Sequence, residues 1–545
     1  MNVNGGLRRE MSLHEATLSK ALRHTKKSHQ LLWIDDEIEA LRPHILFLQE
    51  RGYDVTPATN GEDGIALLKR GDKQYSAILL DQVMPGKDGI ETLAGLRAIH
   101  PQVPVIFVTQ SSDDKFVNNA LGKQVTDFLV KPIGVAQIAT TLKRVLEQQQ
   151  IIDDSIPGRY TADFNAIRAL KEANPNWHDW VDIYVKLLEW ELVSDRLAEG
   201  GLEETHLAQK KECNTEFSDF VEAHYPAWVA GSSDAPPLSV NVLDEHVVPL
   251  LQAGKSVYFI VVDSFRLDHW MAIESQLYPY FSIDRHYSFS ILPSATVYSR
   301  NALFSGLYPE ELASRYPQYW QEDSDGSTSM NRYERELLDA HVKSRGITLK
   351  PGLQYFKIFD VRGGQAYKKR AAASARVSLS ALVVNFVDIL THQRSQSDVL
   401  QQLAPDEAAF RDVTRSWFEH SVLFDILRIV AAQNATVVLT SDHGSVFCNR
   451  ATRAFGNRET TTSLRFKIGS NLGCEANQAV HLRNPQVYRL PAETASKNYI
   501  LAKDDYYFVY PNDFYKYKRQ FQGGFQHGGI SMGELITPVV TLTPR

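Results

Sequence analysis

The sequence predicts an α/β protein built from a doubly wound parallel sheet, a helical connector and a second, larger α/β unit. Short apolar strands alternate with helical segments to about residue 149, helical periodicity rich in Trp, Leu and Glu follows to about 240, and strand-helix alternation then returns. A chain of 545 residues is also too long for one hydrophobic core. We therefore expect an N-terminal extension (1–28), a first α/β domain (29–148), a helical connector (149–240) and a second α/β domain (241–545).

The first α/β domain alternates strand and helix throughout. Its predicted strands are LLWI (31–34), YDVTPA (53–58), AILLD (77–81), VPVIFVT (103–109) and DFLVKP (127–132), and its predicted helices span 37–51, 61–70, 89–99, 113–122 and 134–149. Ligands of doubly wound sheets bind where the parallel strands end. We therefore expect functional residues at the carboxyl ends of these strands.

The connector and the second α/β domain have different patterns. The run WHDWVDIYVKLLEWELVSDRL has helical periodicity, and the loop GSSDAPPLS closes the connector as a short flexible linker. Core or dimer packing suits the tryptophans of this run better than a membrane interface does, because Asp and Glu lie between them. The clearest buried strands of the second domain are SVYFIVVDS (256–264) and ATVVLTSDHG (435–444).

Charge and composition exclude several classes of protein. A net charge of −7 leaves no protein-wide basic surface for duplex DNA. The three cysteines, Cys213, Cys448 and Cys474, have no CxxC spacing, which fits a reducing cytoplasm. The apolar stretches are far shorter than the ~20 residues that span a bilayer, and residues 1–28 carry charges throughout. We expect a soluble, cytoplasmic protein.

Polar residues at the strand ends of the first domain predict a phosphorylation site. Asp35, Asp36 and Asp81 would bring three carboxylates to one pocket, and such a pocket suits Mg²⁺. Asp81 would then be the nucleophile that accepts a phosphoryl group, Thr109 would hydrogen-bond that group, and Lys131 would neutralise its charge. The alternative is a doubly wound domain whose acidic strand ends are incidental.

These residues resemble the receiver domain of two-component response regulators, which has a flavodoxin-like fold. The resemblance covers about 29–148 and rests on DDE after the first strand, LLDQVMPGKDG, the threonine after the fourth strand and FLVKP at the fifth. It implies that Asp36, Asp81 and the backbone at Val83 hold Mg²⁺ with Asp35 behind them, and that Phe128 is a switch aromatic that moves with Thr109. It also implies a cognate histidine kinase and dimerisation on phosphorylation. The rest of the chain has no helix-turn-helix for DNA output.

A second set of Asp and His residues lies in the last 300 residues. Its members follow predicted strands or share a helix face, as do Asp388 and His392 four residues apart, and Thr296 lies in a turn of small residues. The set comprises Asp263, Thr296, Asp388, His392, Asp442, His443 and His527. Nitrogen and carboxylate ligands of this kind suit two Zn²⁺ ions. Each motif alone is weak, since a D-x-x-x-H pair is often a surface ion pair.

The order of these residues resembles the alkaline phosphatase superfamily. The resemblance implies that one zinc ion takes Asp388, His392 and His527, and that the other takes Asp263, Asp442, His443 and the nucleophile Thr296. Thr296 would form a covalent phosphoryl or nucleotidyl intermediate, which is then hydrolysed from the opposite side. Threonine in place of serine resembles the nucleotide pyrophosphatase and phosphodiesterase branch and suggests diester substrates.

The segment GNRETTTSLRFKIGSNL (456–472) and the layout of 241–545 look like the PglZ branch of this superfamily. A receiver domain, a helical connector and a PglZ domain in this order resemble the PorX-like response regulators of type IX secretion. This resemblance implies a dizinc phosphodiesterase that acts on oligonucleotides or cyclic oligonucleotides. It also implies contacts with the secretion machinery and with an extracytoplasmic-function sigma factor.

Two assignments and one question of function stay open. Arg458, Arg465 and Lys467 either bind substrate phosphates or belong to a solvated basic loop. The aromatic segment 499–510 either stacks nucleobases or forms a core strand. The chain as a whole is either a phosphorylation-regulated phosphodiesterase or a non-catalytic signalling adaptor whose metal-binding domain is a platform for partners.

Overall fold

The computed structural model describes most of the chain. The described residues are 29–100, 103–109, 125–195, 202–320, 331–373, 377–394, 397–456, 461, 463–491, 496–512 and 514–545, without the side chains of 147–157. The predicted extension 1–28 and the predicted helix 113–122 lie outside them. The chain divides into two compact units, residues 1–162 and 163–545, and the domain boundaries expected from the sequence stay predictions.

The first unit contains a five-stranded parallel sheet. Its strands are β1 (His29–Ile34), β2 (Tyr53–Ala58), β3 (Ala77–Asp81), β4 (Val105–Thr109) and β5 (Asp127–Val130), in the order β2-β1-β3-β4-β5. Its helices are α1 (Arg42–Gln49), α2 (Gly61–Arg70), α3 (Gly89–Ile99) and α4 (Val135–Glu172). The interior strand residues are apolar and pack on both faces of the sheet, as a doubly wound fold requires.

Local chemistry explains where these helices begin and end. Asn60 and Asp88 cap α2 and α3 by accepting backbone N–H bonds, and Gly71 ends α2 with φ of 67°. Helix α1 begins at Arg42 rather than at 37, because turns occupy the preceding residues and Pro43 suits the first turn of a helix. Helix α4 runs to Glu172, well beyond the predicted end at 149.

The second unit is an α/β layer structure with smaller β elements. Its α-helices of five or more described residues are α5 (Trp177–Ser194), α6 (Glu203–Val229), α7 (Val248–Gln252), α8 (Leu267–Ile273), α9 (Thr296–Ser305), α10 (Pro309–Arg315), α11 (Glu334–Ser344), α12 (Val361–Ala373), α13 (Phe386–Arg394), α14 (Asp398–Leu403), α15 (Glu407–Glu419), α16 (Val422–Ala432) and α17 (Phe514–Phe521), and α18 (Met532–Leu535) is a single turn. The expected helix around Asp388 and His392 is confirmed as α13.

A six-stranded mixed sheet forms the centre of this unit. Its strands are β6 (Val257–Val262), β7 (Phe281–Phe289), β8 (Gln354–Ile358), β9 (Leu379–Val384), β10 (Thr436–Thr440) and β19 (Ile536–Pro544), in the order β7-β19-β10-β6-β9-β8. Strands β10, β6, β9 and β8 are parallel, so their carboxyl ends share one edge. The smaller sheets contain β11 (Val446–Cys448), β12 (Arg450–Phe455), β13 (Phe466–Ser470), β14 (Gly473–Cys474), β15 (Ala479–Leu482), β16 (Lys497–Ala502), β17 (Tyr506–Val509) and β18 (Gly524–Gln526).

The helices of the predicted connector share the core of the second unit. Trp180 on α5 and Phe217 on α6 are buried in one cluster with residues of the central sheet such as Tyr258 and Phe289. The expected core packing of Trp180 is confirmed, because its side chain is 2% exposed. Among the described residues, no helix combines the length and apolar character needed to span a membrane.

Candidate phosphoacceptor and dimetal sites

Three carboxylates and a lysine meet at the strand ends of the first unit. Asp35 and Asp36 follow β1, Asp81 ends β3, and a ligand atom from each lies within 4.8 Å of the others. Lys131 follows β5, and its Nζ lies 3.0 Å from Asp81 Oδ2 and 3.2 Å from Asp35 Oδ2. Parallel strands bring these residues to one edge of the sheet.

The electrostatics of this cluster are unfavourable without a further cation. Burial raises the pKa of Asp81, the hydrogen bond from Lys131 opposes this shift, and the charge of Asp35 adds to it. Asp36 is exposed and Val83 is 56% exposed, so this side of the cluster is open to solvent. The donor set, three carboxylates with access to water and backbone carbonyls, fits Mg²⁺.

The other predicted residues of this site lie on β4 and β5, the strands that follow β3 in the sheet. The Asp81 carboxylate accepts a 2.9 Å bond from the Gln82 backbone, and the Thr109 hydroxyl at the end of β4 donates to the Gln82 side chain. Phe128 on β5 is half-buried, with its ring 6.4 Å from that of Phe107. A side chain at Gly89 would put its Cβ 2.5 Å from the Asp81 carbonyl, so glycine lets α3 approach the strand end.

In the second unit, Asp388, His392 and His527 form a cluster that we call the His-rich triad. Two of them lie one turn apart on α13, and the third follows β18. His392 Nε2 lies 3.3 Å from both Asp388 Oδ1 and His527 Nε2, and His527 Nε2 lies 3.8 Å from Asp388 Oδ1. The edge of a tetrahedral zinc site with Zn–N of ~2.0–2.1 Å is about 3.3 Å, so the spacing suits zinc.

The protonation of this triad also suits a metal. Burial alone would raise the pKa of Asp388, but the adjacent His392 and His527 lower it to about 2. The hydrogen bond to Asp388 raises the pKa of His392, whereas burial and the nearby His443 hold the pKa of His527 well below its usual value. The triad therefore offers an ionised carboxylate and a neutral imidazole, the forms that bind metals.

Asp263, Asp442 and His443 form a second cluster, the Asp-rich triad, beside the ends of β6 and β10. His443 Nε2 lies 3.8 Å from Asp263 Oδ1 and from Asp442 Oδ2. His443 Nδ1 donates to the Gly444 carbonyl at 2.9 Å, which leaves the Nε2 lone pair facing the carboxylates. Glycine is needed at 444, because a Cβ there would lie 1.9 Å from the Gly533 carbonyl.

In each aspartate of this triad, one carboxylate oxygen, which we call the outer one, accepts hydrogen bonds, and the other, the inner one, accepts none within the described part of the chain. Asp263 Oδ2 accepts hydrogen bonds from Arg300 and Asn385, and Asp442 Oδ1 accepts one from the His443 backbone. Asp263 Oδ1 and Asp442 Oδ2 are buried and accept no hydrogen bond from the described residues. Burial raises the pKa of Asp263 well above its usual value, Arg300 opposes this, and Asp442 and Asp388 add to it. Buried carboxylate oxygens beside an imidazole nitrogen fit a second zinc ion.

Thr296, the predicted nucleophile, contacts the Asp-rich triad through His443. It is the first residue of α9, and its hydroxyl donates to His443 Nε2 at 2.9 Å. The Asn331 side chain donates to the Thr296 carbonyl at 3.1 Å and holds the first turn. The structure thus brings all seven predicted residues into one region at the carboxyl ends of adjacent strands.

Comparison with protein families decides what these sites belong to. A family model described as the BREX system PglZ alkaline phosphatase-like domain matches residues 242–542, more than half of the chain. The chain belongs to this PglZ family. A model of the response regulator receiver domain matches 31–143, and a model of the PorX response regulator linker domain matches 150–229. The chain is therefore a PorX-like fusion, and the fold class expected from the sequence is confirmed.

The following relatives match the receiver domain and its surroundings. The sensor kinase CckA of Brucella abortus is 34% identical over 122 residues, which are 22% of this chain and 13% of that protein. The transcriptional regulatory protein ZraR of Salmonella typhimurium is 28% identical over 137 residues, 25% of this chain and 31% of that protein. Among solved structures, chemotaxis protein CheY4 of Vibrio cholerae is 26% identical, with 22% of this chain and 98% of that chain covered and a TM-score of 0.21.

Sequence reasoning missed one residue that is central to the PglZ domain. Arg300 lies one turn after Thr296 on α9, buried, and bonds Asp263 on one side and Glu334 Oε1 at 2.7 Å on the other. Glu334 also accepts from Tyr355 and pairs with Lys357 at 3.0 Å. Its position four residues after Thr296 was a usable signal, since residues i and i+4 share one helix face.

The predicted phosphate-binding residues need correction. Arg465 is fully buried, pairs with Glu534 at 2.6 Å, and so supports the PglZ core instead of contacting substrate. Lys467 is 2% exposed and donates to the Thr461 carbonyl at 2.9 Å, so it is not in a solvated loop and does not face an open pocket. Arg458 lies outside the described residues.

The aromatic segment belongs to the core. Tyr507 and Phe508 on β17 are 0% and 1% exposed, and Tyr499 on β16 is 5% exposed. These rings have little surface to offer a nucleobase. The interpretation of this segment as core strands is confirmed, and the stacking alternative is wrong for these three residues.

Proposed function

We propose that the protein is a response regulator in which phosphorylation of Asp81 controls a dizinc phosphodiesterase in the PglZ domain. The observation that carries the proposal is the pair of triads beside Thr296, with buried inner oxygens in the Asp-rich triad that accept no hydrogen bond from the described residues and with zinc-like spacing in the His-rich triad. Two zinc ions, when bound, would neutralise these carboxylates and lower the pKa of the attacking hydroxyl.

The residues of the chain have distinct roles in the proposed reaction. Thr296 Oγ1 loses its proton to solvent and forms the new bond to phosphorus, while the bond to the leaving alkoxide breaks and this alkoxide takes a proton from solvent. Water then hydrolyses the Thr296 ester, which releases the phosphomonoester and restores the threonine hydroxyl. Asp263 and Asp442 present one oxygen each, because Arg300 and backbone amides hold their other oxygens. His443 is held in one tautomer by the Gly444 carbonyl, so its Nε2 stays directed at the same point.

The substrate and the partners follow from the family resemblance. Threonine as nucleophile favours diesters, and oligonucleotides or cyclic oligonucleotides are the proposed substrates. The receiver domain implies a cognate histidine kinase, with Mg²⁺ bound by Asp36, Asp81 and the Val83 carbonyl beside Asp35. Homodimerisation on phosphorylation, a cytoplasmic location and contacts with type IX secretion components and an extracytoplasmic-function sigma factor complete the proposal.

Replacing the nucleophile tests the proposed chemistry. Thr296→Ala is expected to abolish hydrolysis of bis(p-nitrophenyl) phosphate and of a short oligonucleotide, because no other hydroxyl bonds the His443 imidazole among the described residues. Its zinc content, measured by elemental analysis, is expected to stay near two per chain, since the two triads remain. Wild-type turnover in this variant would contradict the assignment of the nucleophile.

The signalling-adaptor hypothesis predicts a different pattern. It requires two bound zinc ions in the wild-type protein but no turnover of any diester, together with partner binding that depends on Asp81 phosphorylation. Assaying the wild type with and without beryllofluoride and Mg²⁺, by hydrolysis and by light scattering, separates the two hypotheses. A phosphoryl mimic that changes neither turnover nor mass would contradict the proposed control by the receiver domain.

A further inference from the structure

One face of helix α6 contacts the backbone of two loops of the PglZ domain. The face consists of Asn214, Ser218 and Tyr225, which lie within about 40° of one another around the helix at ~100° per residue. All three side chains are 9% exposed or less. The helix lies in the segment that the PorX linker model matches, outside the matched PglZ residues.

The first loop carries His527. Asn214 Oδ1 accepts a 2.8 Å hydrogen bond from the Met532 backbone, and the Ser218 hydroxyl donates to the Ile530 carbonyl at 2.9 Å. Both contacts fall within five residues of His527, the member of the His-rich triad that does not come from α13. Helix α6 therefore fixes the backbone that delivers this ligand.

The second loop carries Thr296. The Tyr225 hydroxyl accepts a 2.8 Å hydrogen bond from the Leu292 backbone, four residues before Thr296. The two loops are also joined directly, because the Ser294 hydroxyl donates to the Gly529 carbonyl at 2.8 Å and accepts from the Gly528 backbone at 3.2 Å. Hydrogen bonds from the α6 face to each loop, and from Ser294 between the loops, thus connect all three segments.

We infer that Asn214, Ser218 and Tyr225 are positioning residues that set the distance between the nucleophile and the His-rich triad. The inference rests on the proposed function and extends it, because it makes a linker helix part of the active-site framework. A shift of α6 along its axis would move both loops through these contacts. Regulation of turnover through the linker then needs no change in any residue that touches substrate.

Two buried hydroxyl deletions test this inference in the full-length protein. Ser218→Ala is expected to weaken zinc binding about tenfold, and Tyr225→Phe to lower kcat about tenfold with KM unchanged, in the range of outer-shell substitutions at metal sites. Ser218→Thr, which keeps the hydroxyl, is expected to restore zinc affinity. Zinc affinity is measured by competition with a chromophoric chelator and does not depend on turnover.

Matched controls separate positioning from a general loss of packing. Tyr367→Phe and Thr414→Val delete buried hydroxyls that bond Ser380 and the Phe410 carbonyl rather than a residue of either loop. They are expected to leave zinc affinity and kcat unchanged. Zinc affinity and kcat at control levels in both α6 variants would overturn the inference. Absence of diester turnover in the wild type would contradict the proposed function, and the zinc titration of Ser218→Ala would still decide the inference.

Discussion

The receiver site and the PglZ site compensate the negative charge of their carboxylates in different ways. In the receiver site, one partly exposed cation, Lys131, contacts both Asp35 and Asp81, and Asp36 is open to solvent. In the PglZ site, Arg300 bonds the outer oxygen of Asp263 and lies 3.7 Å from Asp442 Oδ2, and the inner oxygens of the Asp-rich triad lie 3.8 Å from His443 Nε2. The first arrangement suits a cation that exchanges, whereas the second fits the resident metal that we propose.

Removal of zinc is expected to have the largest effect and to separate the two regions. Zinc at ~1,000 times its dissociation constant stabilises the folded state by about 4 kcal/mol per site. Chelation should therefore increase the rate of amide hydrogen exchange in peptides of the PglZ domain and leave the rate in receiver peptides unchanged. Equal changes in both regions, or none in either, would contradict the distinction between a resident and an exchanging metal.

Replacing the basic side chain that pairs with the aspartates of each site compares how strongly the two sites depend on that charge. Arg300→Met is expected to lower the free energy of unfolding of metal-free protein by about 3–5 kcal/mol, because Asp263 and Glu334 lose a buried partner. Lys131→Met is expected to cost only about 1–2 kcal/mol, since its side chain is 19% exposed against 5% for Arg300. Hydrogen exchange of the two regions in the full chain measures both losses. The reverse ranking would contradict the account.

The smallest expected effect concerns Asp81. Its pKa is raised by burial and by Asp35, so the folded receiver binds the proton more tightly than the unfolded chain and loses stability as pH rises from the ordinary aspartate pKa through the raised one. Asp81→Asn removes this cost and is expected to stabilise the magnesium-free receiver slightly at pH 7. Added Mg²⁺ should reverse the difference. A destabilised variant without Mg²⁺ would show that the bond to Lys131 outweighs the repulsion.

Local signals made part of the fold predictable. Helices α2 and α3 occupy the expected ranges, because Asn60, Gly71 and Asp88 are capping residues that the sequence displays. The predicted start of α1, residue 37, is too early. The residues after Asp35 form turns, but no helix-breaking residue before Pro43 marks them as non-helical in the sequence. The end of α4 was misplaced because no capping signal marks residue 149.

At the site, the contacts that could not be predicted from the sequence join residues far apart along the chain. Asp263 and Asp442 stand out in the sequence because each follows a buried strand, and these strands, β6 and β10, are neighbours in the central sheet. Arg465 looked like a phosphate ligand because its partner Glu534 lies 69 residues away along the chain. The α6 face was invisible for the same reason, since Ser218 meets Ile530 only through the packing of the second unit.

Anomalous scattering at the zinc edge from a zinc-loaded crystal tests the central claim most directly. The account predicts two peaks per chain, one bounded by Asp388, His392 and His527 and the other by Asp263, Asp442 and His443 with Thr296 beside it. A single peak, or peaks away from these triads, would contradict a dizinc centre in the PglZ domain.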